Sequence, residues 1–186
     1  MAKTVYIEAK DIGKLMDKAR NVLTGQNMHA AMASALNRTL TYISAETKRQ
    51  VKGEYAVTKS IDKALTKEKA TRSKLQAVAK YTDKPIPMYV FKYRAANNPY
   101  RSPVSVTIKK SNGMKTHDGS NPALFKAYGK KIMRREAGQK NIRTAYTLSI
   151  PQMVSSEEVY DVIGQKAEVY LYKRLEHEIE WRMSKI

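Results

Sequence analysis

The chain contains no cysteine. That excludes disulfides, a thiolate metal site and a cysteine nucleophile. Histidine is scarce: His29, His117 and His177 stand alone, and none has a metal-binding spacing such as HExxH. His117-Asp118 reads as a turn with an exposed histidine. There is no glycine-rich phosphate loop and no GxSxG. Acidic residues are thin in the middle of the chain, where Glu54, Asp62, Glu68, Asp83, Asp118 and Glu136 are scattered. Metal-dependent nuclease chemistry needs converging carboxylates, and these do not converge. Glu176, Glu178 and Glu180 alternate on a helical stretch and so splay around it. The expectation is a protein that is not an enzyme, with no catalytic, cofactor-binding or metal site and no small-molecule substrate. No apolar run approaches the roughly 20 residues that span a bilayer. The opening MAKTVYIEAKDIGK lacks an apolar signal core. A soluble protein made in the cytosol, with no membrane partner, is expected.

What the chain has in excess is positive charge. Its 186 residues carry 35 Lys and Arg against 17 Asp and Glu, a net +18. Residues 1–53 hold a net +5, residues 54–150 a net +15, and residues 151–186 a net −2. Only the middle is strongly cationic. Such a segment is either a solvated surface or a face turned toward a polyanion, whether nucleic acid or an acidic protein. An apolar content of 42% at this length suits one domain, residues 1–186, with its own core.

Periodicity places the elements. Residues 4–8 read as an opening strand and 11–23 as a helix. Residues 27–52 read as a long helix: Met28, Ala31, Met32, Ala35, Leu36, Thr39, Ile43 and Thr47 form one stripe, with Arg38, Glu46, Lys48, Arg49 and Lys52 off it. Asn27 suits its N-cap and Gly53 its stop. Its alanines and Ser34 would let a second element approach closely. Thr58 could cap a short helix over 59–69. Leu75, Ala77, Ala79 and Tyr81 alternate as in a strand, with helix the competing reading. Tyr89, Phe91 and Tyr93 alternate too, and Asn97-Asn98-Pro99 is a turn. Val104, Val106 and Ile108 mark the cleanest strand. Residues 110–121 read as a flexible polar loop, or as a hairpin tip around Asn112-Gly113.

Two further strands follow at 124–134 and 142–150, the second ended by Pro151. Ser155 and Glu158 have capping-box spacing ahead of a helix over 156–183, with Val159, Val162, Ile163, Ala167, Tyr170, Leu171, Leu175 and Ile179 on its buried side. The predicted fold class is α+β. The two long amphipathic helices, 27–52 and 156–183, should pack on one face of an antiparallel sheet of about four strands.

Residues 121–154 concentrate the cations. Lys109, Lys110, Lys115, Lys130, Lys131, Arg134, Arg135, Lys140 and Arg143 could contact phosphates, with steep salt dependence. Tyr89, Phe91, Tyr93, Tyr100, Phe125 and Tyr128 are interleaved as on single-strand stacking platforms, although core packing explains several of them. No RRM, KH, zinc-finger or helix-turn-helix signature is present, so a sequence-specific reader is not expected. Non-specific contact with genomic DNA remains one reading.

A resemblance supplies the other. AMASALNRTLTYISAETKRQV, followed by Tyr55-Ala56-Val57-Thr58, resembles the prophage minor tail protein Z family. So does the later order: Phe125 in ALFKAYG, Arg134 or Arg135 before Gly138, then LSIPQMV before a long closing helix. The likeness runs from about Ala30 to the C-terminus, and the order and spacing of the motifs carry it. The Lys130 to Glu136 segment is shorter and more cationic than the family's glycine-containing hairpin. The resemblance implies a minor tail or tail-completion protein of a long-tailed bacteriophage. Such a subunit would form a homo-oligomeric ring, commonly six-fold, at the head-proximal end of the tail. It would join tail to neck, meet the tail terminator, tail tube and connector, and surround the DNA path. It would reside in the virion after assembly in the host cytoplasm. Lys109, Lys110, Lys130, Lys131, Arg134, Arg135, Lys140 and Arg143 would then face DNA or a partner subunit.

Overall fold

A computed structural model describes residues 3–7, 25–95, 104–117, 123–127, 129, 131–135 and 141–185, with backbone alone at 3–7, 117 and 123. The predicted helix over 11–23, the Asn97-Asn98-Pro99 turn, Lys130 and Lys140 lie outside these residues. The class is α+β. Helices α1 (Gly25–Glu54), α2 (Ile150–Val154) and α3 (Glu157–Met183) accompany nine short strands among the described residues. These are β1 (Lys3–Ile7), β2 (Leu65–Glu68), β3 (Ala77–Tyr81), β4 (Lys92–Ala95), β5 (Val104–Thr107), β6 (Lys115–His117), β7 (Ala123–Lys126), β8 (Ile132–Arg135) and β9 (Ile142–Thr144).

The strands do not form the single sheet of about four strands expected from the sequence. They form three antiparallel sheets of three strands each, ordered β1-β3-β2, β4-β5-β6 and β7-β8-β9. The helices do not lie side by side on a sheet either. α3 makes its most extensive contact with α1, and α1 in turn touches β3. α1 is therefore covered from two directions, which is why twelve of its residues are buried.

Its buried positions run in rows of four. Ala31, Ala35, Thr39, Ile43, Thr47 and Val51 form one row, and Leu36, Leu40 and Ser44 an adjacent one. The hydroxyls of Thr39, Ser44 and Thr47 donate to carbonyls four residues back at 2.9, 2.6 and 2.8 Å, so these buried polar groups are satisfied within the helix. On α3 the row is Val159, Ile163, Ala167, Leu171, Leu175 and Ile179. A four-residue row drifts by about 40° per step in a helix of 3.6 residues per turn, so it slants across the helix face.

The chain departs from the sequence reading at several short elements. Residues 59–69 are not a helix: a 3-10 turn at Asp62–Ala64 leads into β2, whose Leu65 pairs with Tyr81. Thr58 does not cap it, because its hydroxyl donates to the Val90 carbonyl at 2.6 Å. Met88–Val90 is a 3-10 turn where alternation suggested strand, and Phe91 bridges Val57. The predicted strand over 124–134 is two strands, β7 and β8, joined by a turn containing Gly129 at φ 76°. Of the two readings of residues 110–121, the hairpin tip around Asn112-Gly113 is the one formed: Lys115–His117 is β6, paired with β5 beyond a turn at Gly113, φ 65°. Both glycines occupy the left-handed region that favours glycine.

The predicted strand over 142–150 stops at Thr144. Pro151 does not end a strand; it sits in the first turn of α2, where its missing N–H costs nothing. The Gln152 side chain accepts the Ser149 N–H at 2.8 Å, the capping-box contact the sequence suggested for Ser155 and Glu158. Ser155 Oγ instead donates to the Gln152 carbonyl at 3.2 Å, and α3 starts behind Ser156.

Candidate functional site

Two surfaces stand out: the cationic strands, which the sequence singled out, and the seam between α1 and α3, which it did not.

In an antiparallel pair, residues directly opposite share a face. Arg134 lies opposite Leu124 on one neighbour and Arg143 on the other. That face also carries Ile132, which is fully buried, so Arg134 and Arg143 flank the core side of the sheet. Arg135 lies opposite Ile142 and belongs to the other face, with Phe125 and Met133. Arg135, Arg143 and Lys131 are exposed, and Arg134 is half-buried. Exposed Ile142 and Tyr146 stand beside them. The sheet thus gathers four of the predicted cations but divides them between its two faces.

Lys109 and Lys110 are elsewhere and are engaged within the chain. The Lys109 ammonium pairs with Glu158 in the first turn of α3. That hydrogen bond raises the Lys109 pKa and lowers that of Glu158. Lys110 Nζ donates to the Lys52 carbonyl, in the last turn of α1, at 2.6 Å. Each lysine ties the end of the β5 segment to a helix end of opposite partial charge or to an acid beside one. Lys109 and Lys115 also border a cleft of about 390 Å³ floored by Tyr55, Met88, Val106, Ile108 and Leu148.

The seam between the long helices is an antiparallel ladder. Lys166 Nζ binds Glu46, Tyr42 stacks on Tyr170, and Arg38 Nε meets Glu178 Oε1 at 3.2 Å. Going back along α1 from 46 to 42 to 38, the partners advance along α3 from 166 to 170 to 178. The tyrosine rings are 4.1 Å apart and inclined by 8°, a stacked pair. Both acids are buried: the Glu46 side chain is 2% exposed and that of Glu178 8%. Glu178 is also met by Arg182 Nη1 at 2.6 Å and Arg174 Nη2 at 3.5 Å. The sequence reading set Glu46 off the buried stripe and read Glu176, Glu178 and Glu180 as splaying around their helix; the structure buries Glu46, and turns Glu178 alone of the three into the seam, onto three guanidiniums. The signal in the sequence was the spacing Arg174, Glu178, Arg182, which puts a carboxylate between two guanidiniums on one helix face.

A hydrogen bond from Lys166, then one from Gln50, holds the Glu46 pKa below its usual range against the opposing effect of burial. For Glu178, burial pushes upward, but hydrogen bonds from Arg182 and Ser34 and the charges of Arg182 and Arg38 hold the pKa low. The unfolded chain therefore takes up these protons more readily than the folded one. The stabilisation is complete above the ordinary carboxylate value of 4.5 and disappears as pH falls through the lowered folded values. Thermal unfolding followed by circular dichroism should show a Tm falling steeply below about pH 4.5, with a shallower fall in Glu178→Gln. Equal acid limbs in the two proteins would dissociate Glu178 from acid sensitivity.

Among the described residues, no group of three His, Cys, Asp or Glu could hold a metal ion, and no helix is long and apolar enough to cross a membrane. No family model, curated protein or solved structure matches the chain.

Proposed function

We propose that the chain is a structural subunit of a long-tailed bacteriophage virion, a minor tail or tail-completion protein. It joins its own copies head to tail in a ring, six-fold by the family resemblance, at the head-proximal end of the tail. The tail tube, terminator and connector are its neighbours there, and the ring surrounds the DNA path. Assembly takes place in the host cytoplasm.

The observation that carries this reading is the presence of two unlike, complementary surfaces on one subunit. One face of the β7-β8-β9 sheet exposes Arg135 with Ile142, next to Lys131. The outer side of α3 exposes Asp161, Glu168 and Glu176 with Val169 and Tyr172, which are 71% and 48% exposed. A head-to-tail contact needs two different matching patches and closes into a ring at the right rotation. Apolar centres rimmed by opposite charges suit such a contact. The resemblance in motif order from Ala30 onward supplies the phage context.

Native mass spectrometry and negative-stain microscopy test it, on the protein alone and mixed with tail-tube and terminator proteins from the same gene neighbourhood. Closed rings or a complex with those proteins are expected, and Lys131→Glu with Arg135→Glu should prevent them. A strict monomer that ignores tail components and binds DNA tightly would sink the proposal.

The exposed Lys131, Arg135 and Arg143 also favour a second reading, non-specific nucleic-acid binding by the 109–143 segment. Changing all three to Glu would then cut the salt slope of duplex affinity by about 3, close to one for each phosphate no longer neutralised. An absence of DNA affinity at low salt removes this reading.

A further inference from the structure

At the end of the helix ladder lies a cavity of about 350 Å³ lined by Ser34, Arg38, His177, Glu178, Trp181 and Arg182. Among the described residues its charge does not balance. One ionised carboxylate, Glu178, faces Arg38, Arg174 and Arg182. Lys185 adds a fourth cation, its Nζ 4.0 Å from the centroid of the Trp181 ring. Glu178 takes its closest contact from Arg182 at 2.6 Å and meets Arg38 through Nε at 3.2 Å. Arg38 is 59% exposed at the mouth, while the Arg182 side chain is only 16% exposed and is held in place by Glu178. A guanidinium so fixed is a preorganised donor for a tetrahedral oxyanion, and a second guanidinium at the mouth can close on it bidentately.

We propose that this cavity is an anion site that takes the phosphate group of a small phosphomonoester. Arg38 and Arg182 supply the charge and the donors. The cavity exceeds what a bare phosphate fills, and the exposed Trp181 ring offers an apolar wall for the organic substituent. Nothing in the tail reading requires this site, so the two stand or fall separately.

Trp181 is the chain's only tryptophan, which makes it a built-in reporter. Inorganic phosphate and then AMP are titrated into the whole protein at constant ionic strength, with sodium chloride as control. Trp181 emission is followed, and calorimetry checks the affinities. A saturable change with phosphate and with AMP, absent with chloride, is expected. Arg38→Gln should weaken both by about tenfold, the usual cost of one charge-assisted hydrogen bond. Lys67→Gln, on an exposed stretch of β2 that does not line the cavity, should leave both unchanged. The proposal is overturned by the absence of saturable binding, by unaltered affinity in Arg38→Gln, or by an equal loss in Lys67→Gln. Binding of phosphate with rejection of AMP would overturn the phosphomonoester assignment.

Discussion

Replacing Glu178 with Ala will cost about 3–5 kcal/mol of folding stability, the range for removing one member of a buried charge group. Among the described residues, Glu178 is the only acid that meets Arg38, Arg174 and Arg182 in the helix seam. The Arg174 and Arg182 side chains are only 21% and 16% exposed, so neither can turn freely into water when the carboxylate goes. What remains is a group of like charges in a medium of low effective dielectric. Arg38, at the mouth, resolvates and contributes little to the loss. Glu178→Gln keeps the volume and an acceptor oxygen, so its cost should be clearly smaller. Adding Arg182→Leu to Glu178→Ala should recover part of the loss, because one of the stranded cations is gone. Urea denaturation of the three variants measures all of this. A Glu178→Ala loss under about 1 kcal/mol would place the pair among surface ion pairs, which contribute little.

Ile43→Ala should cost about 2–5 kcal/mol, through reduced burial plus the cavity left behind. Ile43 is fully buried in the four-residue row at the centre of α1. α1 is covered by α3 on one side and β3 on another, so the surroundings cannot all collapse toward one truncated side chain. The cost should therefore fall in the upper part of that range. Ile43 lies about one and a half helical turns from Arg38, and still further along the seam from Glu178. Double substitution at 43 and 178 should accordingly be near-additive, within about 0.5 kcal/mol. A typical domain is stable by only about 5–15 kcal/mol, so a combined loss of about 5–10 kcal/mol removes much of that margin. A combined loss well below that range in urea denaturation would show that the seam contributes far less than its burial implies.

The long helices were legible because a helix of 30 or 27 residues repeats its pattern many times. α1 was expected over 27–52 and spans Gly25–Glu54; α3 was expected over 156–183 and spans Glu157–Met183. The β5 strand and the inward set Ala77, Ala79 and Tyr81 were also read from alternation. Shorter elements were not, because local chemistry lost to partners distant in sequence. Thr58 looks like a cap until the Val90 carbonyl takes its hydroxyl. Residues 65–68 look helical until Tyr81 and its neighbours offer a strand to pair with. The sheet count failed for the same reason: alternation identifies strands and says nothing of which strands meet. The cations show the limit most plainly. Lys109 and Lys110 are contiguous with the basic segment in sequence, yet one binds an acid at the start of α3 and the other a carbonyl at the end of α1. Conversely, Glu46 reads as lying off the buried stripe because Lys166, its partner across the seam, lies on the other long helix.

The helix ladder also fixes an order of events in synthesis. Glu46 and Lys166 meet across 120 residues of intervening chain. Pairings of such separation close late, since the entropy of the whole loop is lost before any of them forms. On a ribosome, α1 emerges with its apolar rows uncovered and waits until the 120 residues to Lys166 have followed. During that interval the β1-β3-β2 sheet is the first surface able to shelter it, and α3 docks last. A nascent chain halted before α3 would display the seam face of α1, with Glu46 lacking its lysine, to any chaperone or neighbouring nascent chain nearby.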